Sequence, residues 1–271
     1  MTDSDDIGAP NVMIFNTPES YAAGLKEYNF DVINFANNHA FDQDAEGFFS
    51  TLEYLQGETI SVVGAGKTLE DAWKPAVIKK NGIKICFIGA SYSSINDNGT
   101  FRNDYVARID QADMMRDAVR EAHMLCDFTI MSMHAGIEYT RNSTPMQRDF
   151  AHAALDAGAD FVIGAHPHWT QTIERYCPSS ETSCEDPKYI FYSLGNFIFD
   201  QEFSQDTKEG LMVEITLQIE NVGKKVIKKE PKFTLVPIII ENYSTPRPAT
   251  DEEAVRILGK IRETSEVLGT R

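Results

Sequence analysis

Three short apolar runs, residues 31–35, 128–133 and 161–163, each break off into a loop that carries histidine: His39, His134, and the pair His166 and His168. The runs have the β-branched and aromatic content of strands, and stretches with helical apolar spacing lie between them. Strands that alternate with helices form an α/β sheet whose strand ends share one edge. Side chains far apart in sequence can meet there, so a polar cluster on that edge is the first expectation for this chain.

The local punctuation agrees with an α/β reading. Thr17-Pro18-Glu19 opens a helix to residue 28, with proline at the first helical position and an acid near the positive end of the dipole. Residues 44–56 space Phe48, Phe49, Leu52 and Leu55 as a helix, and 60–63 is a strand. Residues 76–79 and 83–88 flank Asn81-Gly82, a strong hairpin signal. A polar, mobile loop is expected over 91–102, then a helix capped by Asp110 and running to 125. Ser143-Thr144-Pro145 opens a further helix that Gly158 closes. Strands are expected over 189–199, 211–219, 224–227 and 233–240, with a turn at Asn221-Val222-Gly223 and a terminal helix over 251–268. With no repeat or linker, residues 1–271 read as one domain, the first ten disordered.

Charge limits the partners. Twenty-five Lys and Arg against 41 Asp and Glu leave a net −16, so diffuse attraction to nucleic acid is excluded as a binding mode. An anionic substrate needs a local cation, or the basic hairpin formed by Lys224, Lys225, Lys228, Lys229 and Lys232. No run reaches the roughly eighteen apolar residues of a membrane helix. Met1 to Asp6 lack the basic and apolar segments of a signal peptide, so neither a transmembrane segment nor a leader is expected in this chain. Among the four cysteines, Cys86 and Cys126 read as buried thiols. Cys177 and Cys184 bracket a polar loop and fit either a surface disulfide or two free thiols.

Neutral imidazole suits Zn, Mn or Fe, and an amide oxygen or a carboxylate completes such a sphere. One histidine beside a strand is usually structural; four at strand ends favour ligation. Asn38, directly before His39, reads as a ligand rather than a loop cap, and Pro167 stiffens the loop between His166 and His168. His123 and His152 fall within helices and read as packing or solvent residues. Gly64-Ala65-Gly66-Lys67-Thr68 lacks the leading glycine of a phosphate-binding loop, Ser61 standing in its place. The chain has no Gly-x-Ser-x-Gly elbow.

Residues 30–42, which include Asn37-Asn38-His39-Ala40-Phe41-Asp42, resemble the bacterial CapA family of poly-γ-glutamate capsule synthesis proteins. Three further blocks agree in order: Met133-His134-Ala135-Gly136-Ile137-Glu138-Tyr139, then residues 156–168 ending in His166-Pro167-His168, then Tyr192-Ser193-Leu194-Gly195-Asn196 and its continuation to Asp200. The resemblance implies the four-layer α-β-β-α sandwich of calcineurin-type metallophosphatases, N-terminally truncated here. The Gly-Asp strand and Asn-Leu-Glu segment with which family members begin have no counterpart before Asn11.

By the same resemblance a divalent metal (Mn, Zn or Fe) is the cofactor. Asn38, His134 and His166 correspond to ligands of the second metal, His168 to a ligand of the first, and His39 to the catalytic histidine. Asn37, Asp42, Glu138 and Asn196 are further site candidates. The acid that directly follows the motif histidine is replaced by Ala40, with Asp42 two positions on, and Ala135 stands where the family usually has Trp. The implied partners are poly-γ-glutamate or a similar anionic polymer and subunits of a capsule synthesis complex. The implied setting is the cell envelope, outside the cytoplasmic membrane, where a Cys177–Cys184 disulfide would persist. Two roles follow from the resemblance: a metal-dependent hydrolase, or a non-catalytic subunit that guides the polymer. Three neutral ligands without a bridging carboxylate imply weak cation binding by this chain and little activity.

Overall fold

A computed structural model describes residues 14–92, 105–178, 184, 187–222 and 225–267. The expected disorder of residues 1–10, most of the 91–102 loop and the hairpin residues Gly223 and Lys224 lie outside these. The chain divides into two compact units, Met1–His134 and Ala135–Arg271, both of mixed α/β construction.

In the first unit the order is α1 (Ser20–Glu27), β1 (Val32–Asn34), α2 (Asp44–Gly57), β2 (Ser61–Val63), a short α3 (Leu69–Ala72), β3 (Ala76–Lys80), β4 (Ile83–Ser91), α4 (Ala112–Leu125) and β5 (Phe128–His134). β1 pairs parallel with β2. β3 and β4 form the expected hairpin, with Asn81 and Gly82 both at positive φ (52° and 83°), as a tight primed turn requires. β4 then pairs parallel with β5 in a register that sets Ser91 beside His134. α4 buries Met115, Ala118, Val119 and Ala122, one stripe of a 3.6-residue period. The Phe48 ring of α2 lies stacked between Phe35 and Phe41, at centroid distances of 5.2 and 4.5 Å, and this packs α2 against the loop that leaves β1.

Three expectations fail in this unit. Gln111 rather than Asp110 is the N-cap of α4, and Glu19 rather than Thr17 precedes the first turn of α1, neither with a side-chain cap. Cys86 and Cys126 are not separate thiols but a disulfide, with Cα atoms 5.7 Å apart. Cys86 lies within β4, and Cys126 is the C-cap of α4, where the helix returns the chain to the sheet to start β5 beside β4. That return brings together two residues 40 apart in sequence.

The second unit runs α5 (Pro145–Ala157), β6 (Phe161–Ala165), β7 (Ile173–Tyr176), β8 (Lys188–Phe191), β9 (Glu209–Thr216), β10 (Ile219–Val222), β11 (Lys225–Lys228), β12 (Lys232–Glu241), β13 (Thr245–Pro248) and α6 (Asp251–Val267). The Thr144 hydroxyl accepts from the Gln147 N–H while the Gln147 side chain accepts from the Thr144 N–H, a capping box that starts α5. Gly158 ends the helix at φ 122°. β6 pairs parallel with β8, which pairs antiparallel with β7; β12 lies antiparallel between β9 and β13. Leu211 and Ile239 of this second sheet bury against Ile257 and Ile261 of α6.

The strand expected over 189–199 stops at Phe191. The chain turns away through Gly195, at φ 72°, where a Cβ would sit 2.7 Å from the Glu209 carbonyl oxygen. Part of the lysine hairpin is engaged by the protein's own acids: Lys228 Nζ lies 2.7 Å from the Asp160 carboxylate, which is 6% exposed, and Lys229 pairs with Glu220. Cys177 and Cys184 form a disulfide, the outcome that the resemblance implied.

Candidate functional site

The loop that leaves β1 is shaped by three asparagines with different tasks. Asn34 Oδ1 accepts from the Ala36 N–H (3.1 Å), and its Nδ2 donates to Ser132 Oγ (3.0 Å), two residues before His134 on β5. The carboxamide is tightly enclosed: a Cβ on Gly89 or Gly64 would lie 2.3 or 2.6 Å from its oxygen. Asn37 Oδ1 accepts from the His39 N–H (2.8 Å) and its Nδ2 donates to the Phe35 carbonyl (3.2 Å), an Asx turn. The capping role that asparagine commonly plays in loops therefore falls on Asn37. Asn38 is left with a buried side chain whose Oδ1 stands 2.8 Å from His134 Nε2.

His39 completes this loop. Its Nδ1 is 2.7 Å from Asp42 Oδ2, and the turn that brings the carboxylate back is closed by the Asp42 N–H donating to the His39 carbonyl (3.2 Å). The carboxylate beside His39 thus comes from three residues after it. A carboxylate only accepts, so it selects the imidazole with its proton on Nδ1 and leaves Nε2 for other partners. His39 and Asp42 line a cavity of about 270 Å³ together with Leu25, Ile33, Phe35 and Leu55.

In the second unit the histidine loop follows β6. The Ala135 N–H donates to the Ala165 carbonyl (3.1 Å) and the Tyr139 N–H to the Pro167 carbonyl (2.8 Å), a strap that holds the loop from the side. His166 and His168 both have left-handed backbones, at φ 103° and 61°. For residues with a Cβ this costs of order 1–3 kcal/mol each, the kind of strain found at functional loops. His166 is buried, with its ring 6.3 Å from that of His168. His168 Nδ1 is 2.8 Å from Asn196 Oδ1. The Asn196 amide is oriented by its other contacts, since Nδ2 donates to the Thr207 carbonyl (2.9 Å) and to Gln201 Oε1 (3.3 Å). The oxygen therefore faces His168 and Nδ1 carries the proton, so Nε2 keeps its lone pair. Tyr139 stacks on His168 at 5.6 Å. Burial and the adjacent Glu138 carboxylate push the Tyr139 phenol above its ordinary value; Glu138 itself is exposed.

Asn38 joins His134, His39 joins Asp42, and His168 joins Asn196. Among the described residues, no three His, Cys, Asp or Glu side chains form a metal-sized group. The donor chemistry nevertheless suits a cation. Two ligands at right angles around a metal at about 2.1 Å are about 3 Å apart, close to the 2.8 Å between Asn38 Oδ1 and His134 Nε2. Sequence reasoning did not single out Asn34, and only its position two residues after the start of a short strand could have pointed to it. His152, read as packing or solvent, bonds Glu174 Oε1 through Nε2 (3.0 Å) and stacks on Tyr176 at 4.2 Å.

The family model described as "Bacterial capsule synthesis protein PGA_cap" matches residues 1–201, which carry all of these loops. The chain belongs to this family. The "PGA biosynthesis protein CapA" of Bacillus subtilis (strain 168) is 34% identical over 227 residues, covering 83% of this chain and 54% of the relative. The "Capsule biosynthesis protein CapA" of Bacillus anthracis is 28% identical over 239 residues, covering 86% and 53%. The chain thus spans about half the length of these PGA_cap relatives. A solved structure similar to it, at TM-score 0.45 and 15% identity, is a 5′-nucleotidase precursor from Thermus thermophilus, with 92% of this chain and 45% of that one covered. No helix among the described residues is long and apolar enough to cross a membrane.

Proposed function

We propose that this PGA_cap chain carries the strand-end side chains of a metal-dependent hydrolase that acts on poly-γ-glutamate or a related anionic polymer or phosphoester in the cell envelope. The observation that carries the reading is the Asn38–His134 contact: an amide oxygen and an imidazole nitrogen, 96 residues apart, held 2.8 Å from each other at the strand ends. Asn38 and His134 would hold a divalent cation in the first unit, and His166 and His168 would serve as ligands in the second. A cation there would lower the pKa of a bound water and offset charge on the scissile group. His39, its Nδ1–H held by Asp42, would give a proton to the leaving group from Nε2 when the ring carries protons on both nitrogens. Asn196 orients His168 as a carboxamide behind a ligand does. The net charge of −16 keeps a polyanion off the general surface, so it would be held where cations stand.

The rival is a non-catalytic guide in a capsule synthesis complex. It is favoured by the lack of a three-residue His, Cys, Asp or Glu group among the described residues. Metal analysis of the purified protein, with turnover of poly-γ-glutamate and of a generic phosphodiester by wild type and His39→Ala, separates the two. The hydrolase reading expects weak binding of added Mn, Zn or Fe, and a low turnover that falls by about 10²–10⁴-fold in His39→Ala. Polymer binding without metal and without turnover establishes the guide.

A further inference from the structure

The segment before α1 is tied to the His39 loop from three sides. The Phe15 N–H donates to Asp42 Oδ2 (2.8 Å), the same oxygen that holds His39 Nδ1. The Phe15 carbonyl accepts from Gln43 Nε2 (3.3 Å). The Phe15 ring stands edge-on against the His39 imidazole, with centroids 4.5 Å apart at 78°. Both rings and the Asp42 carboxylate line the same cavity.

These contacts constrain different degrees of freedom. The Asp42 side chain is 5% exposed, so its carboxylate depends on protein donors. A carboxylate oxygen that accepts from two directions is fixed in rotamer, whereas one that accepts only from a mobile imidazole can swing with it. The ring covers one side of His39 and leaves 24% of that side chain exposed. We propose that Phe15 is a positioning residue for His39: its N–H anchors the carboxylate that keeps the proton on Nδ1, and its ring limits how much of the imidazole meets solvent. The proposal builds on the reading of His39 as proton donor, but its direct observables are the tautomer and the accessibility of that ring.

The test uses the whole chain labelled with ¹⁵N-histidine. Two-bond ¹H–¹⁵N correlation at about pH 8, where an ordinary imidazole is neutral, reads the tautomer. Diethylpyrocarbonate labelling followed by peptide mass spectrometry reads accessibility. Wild-type His39 is expected as the Nδ1–H form. Phe15→Ala keeps the N–H and loses the ring, so the tautomer stays and modification of His39 rises several-fold. Phe15→Pro removes the donor and shifts the ring toward a mixture of tautomers, as Asp42→Asn does more completely. Should Phe15→Pro not fold, amide exchange of Phe15 reports the same bond: protection lost in Asp42→Ala, which removes the acceptor, supports the proposal, and protection unchanged overturns it. Wild-type His39 in the Nε2–H form, or a Phe15→Ala rate equal to wild type, also overturns it. Normal turnover in His39→Ala would instead remove the proton-donor reading and leave the strap results standing.

Discussion

Removing the Cys86–Cys126 bridge should be the most damaging change that can be made away from the strand-end loops. The two residues are 40 apart in sequence, and both side chains are buried. Cross-linking such a loop restricts the unfolded chain by about 4 kcal/mol in the chain-entropy account, against about 2 kcal/mol for Cys177–Cys184, whose separation is 7. The Cys86→Ala/Cys126→Ala double variant should therefore melt about 8–16 °C lower, at roughly 2–4 °C per kcal/mol for a chain of this class. The assay is thermal unfolding followed by circular dichroism, with and without a thiol reductant, alongside mass-spectrometric counting of alkylated thiols in unfolded protein. Reductant should move wild type toward the double variant and leave the variant's residual shift to the smaller Cys177–Cys184 loop. Alkylatable Cys86 or Cys126 in non-reduced protein, or a double variant that melts with wild type, would refute the reasoning. The same measurement bears on compartment, because a fold that depends on this bridge is built for an oxidising one.

Other expectations follow from single contacts. Asn196→Ala frees His168 Nδ1 and should weaken cation binding by roughly 10–100-fold, read by calorimetric titration with Mn²⁺; an unchanged affinity would show that His168 is not a ligand. Gly89→Ala places a Cβ 2.3 Å from Asn34 Oδ1 and should cost about 1–3 kcal/mol in urea unfolding while loosening the Asn34–Ser132 bond. Burial raises the Glu174 carboxyl, but hydrogen bonds from His152 and Tyr192 outweigh it and hold the group below its ordinary 4.5. A carboxyl lowered by folding stabilises above the unfolded value and loses that effect as pH falls through the folded one. Tyr192→Phe should therefore start to unfold at higher pH than wild type on acid titration; coincident curves would count against the assignment.

Much of this architecture is written in local signals. The Asn81-Gly82 turn, the Thr144 cap, the Gly158 stop and the apolar stripe of α4 each depend on residues close to one another in sequence, so geometry a few ångströms across decides them. The strand-end placement of His39, His134, His166 and His168 was legible for the same reason, and the family blocks surround those positions. Three strands escaped: β7, which is short and polar, β10, whose Asn221 and Val222 read as a turn but pair with Val226 and Lys225, and β13, whose Thr-Pro-Arg-Pro sequence discourages a strand reading yet forms the edge of its sheet.

What the sequence determined by itself was which residues end strands and which carry chemistry. What the tertiary structure decided was who meets whom. Nothing near Cys86 says that Cys126 will return to it, and nothing in the hairpin says that Lys228 will reach Asp160. Asp42 reaches His39 only because the turn after the histidine closes, and Phe15 reaches the same oxygen from 27 residues away. Such pairings carry no period or local signature. They follow from where packed helices and paired strands set the chain down again, and burial then makes each polar group take the partner it finds there.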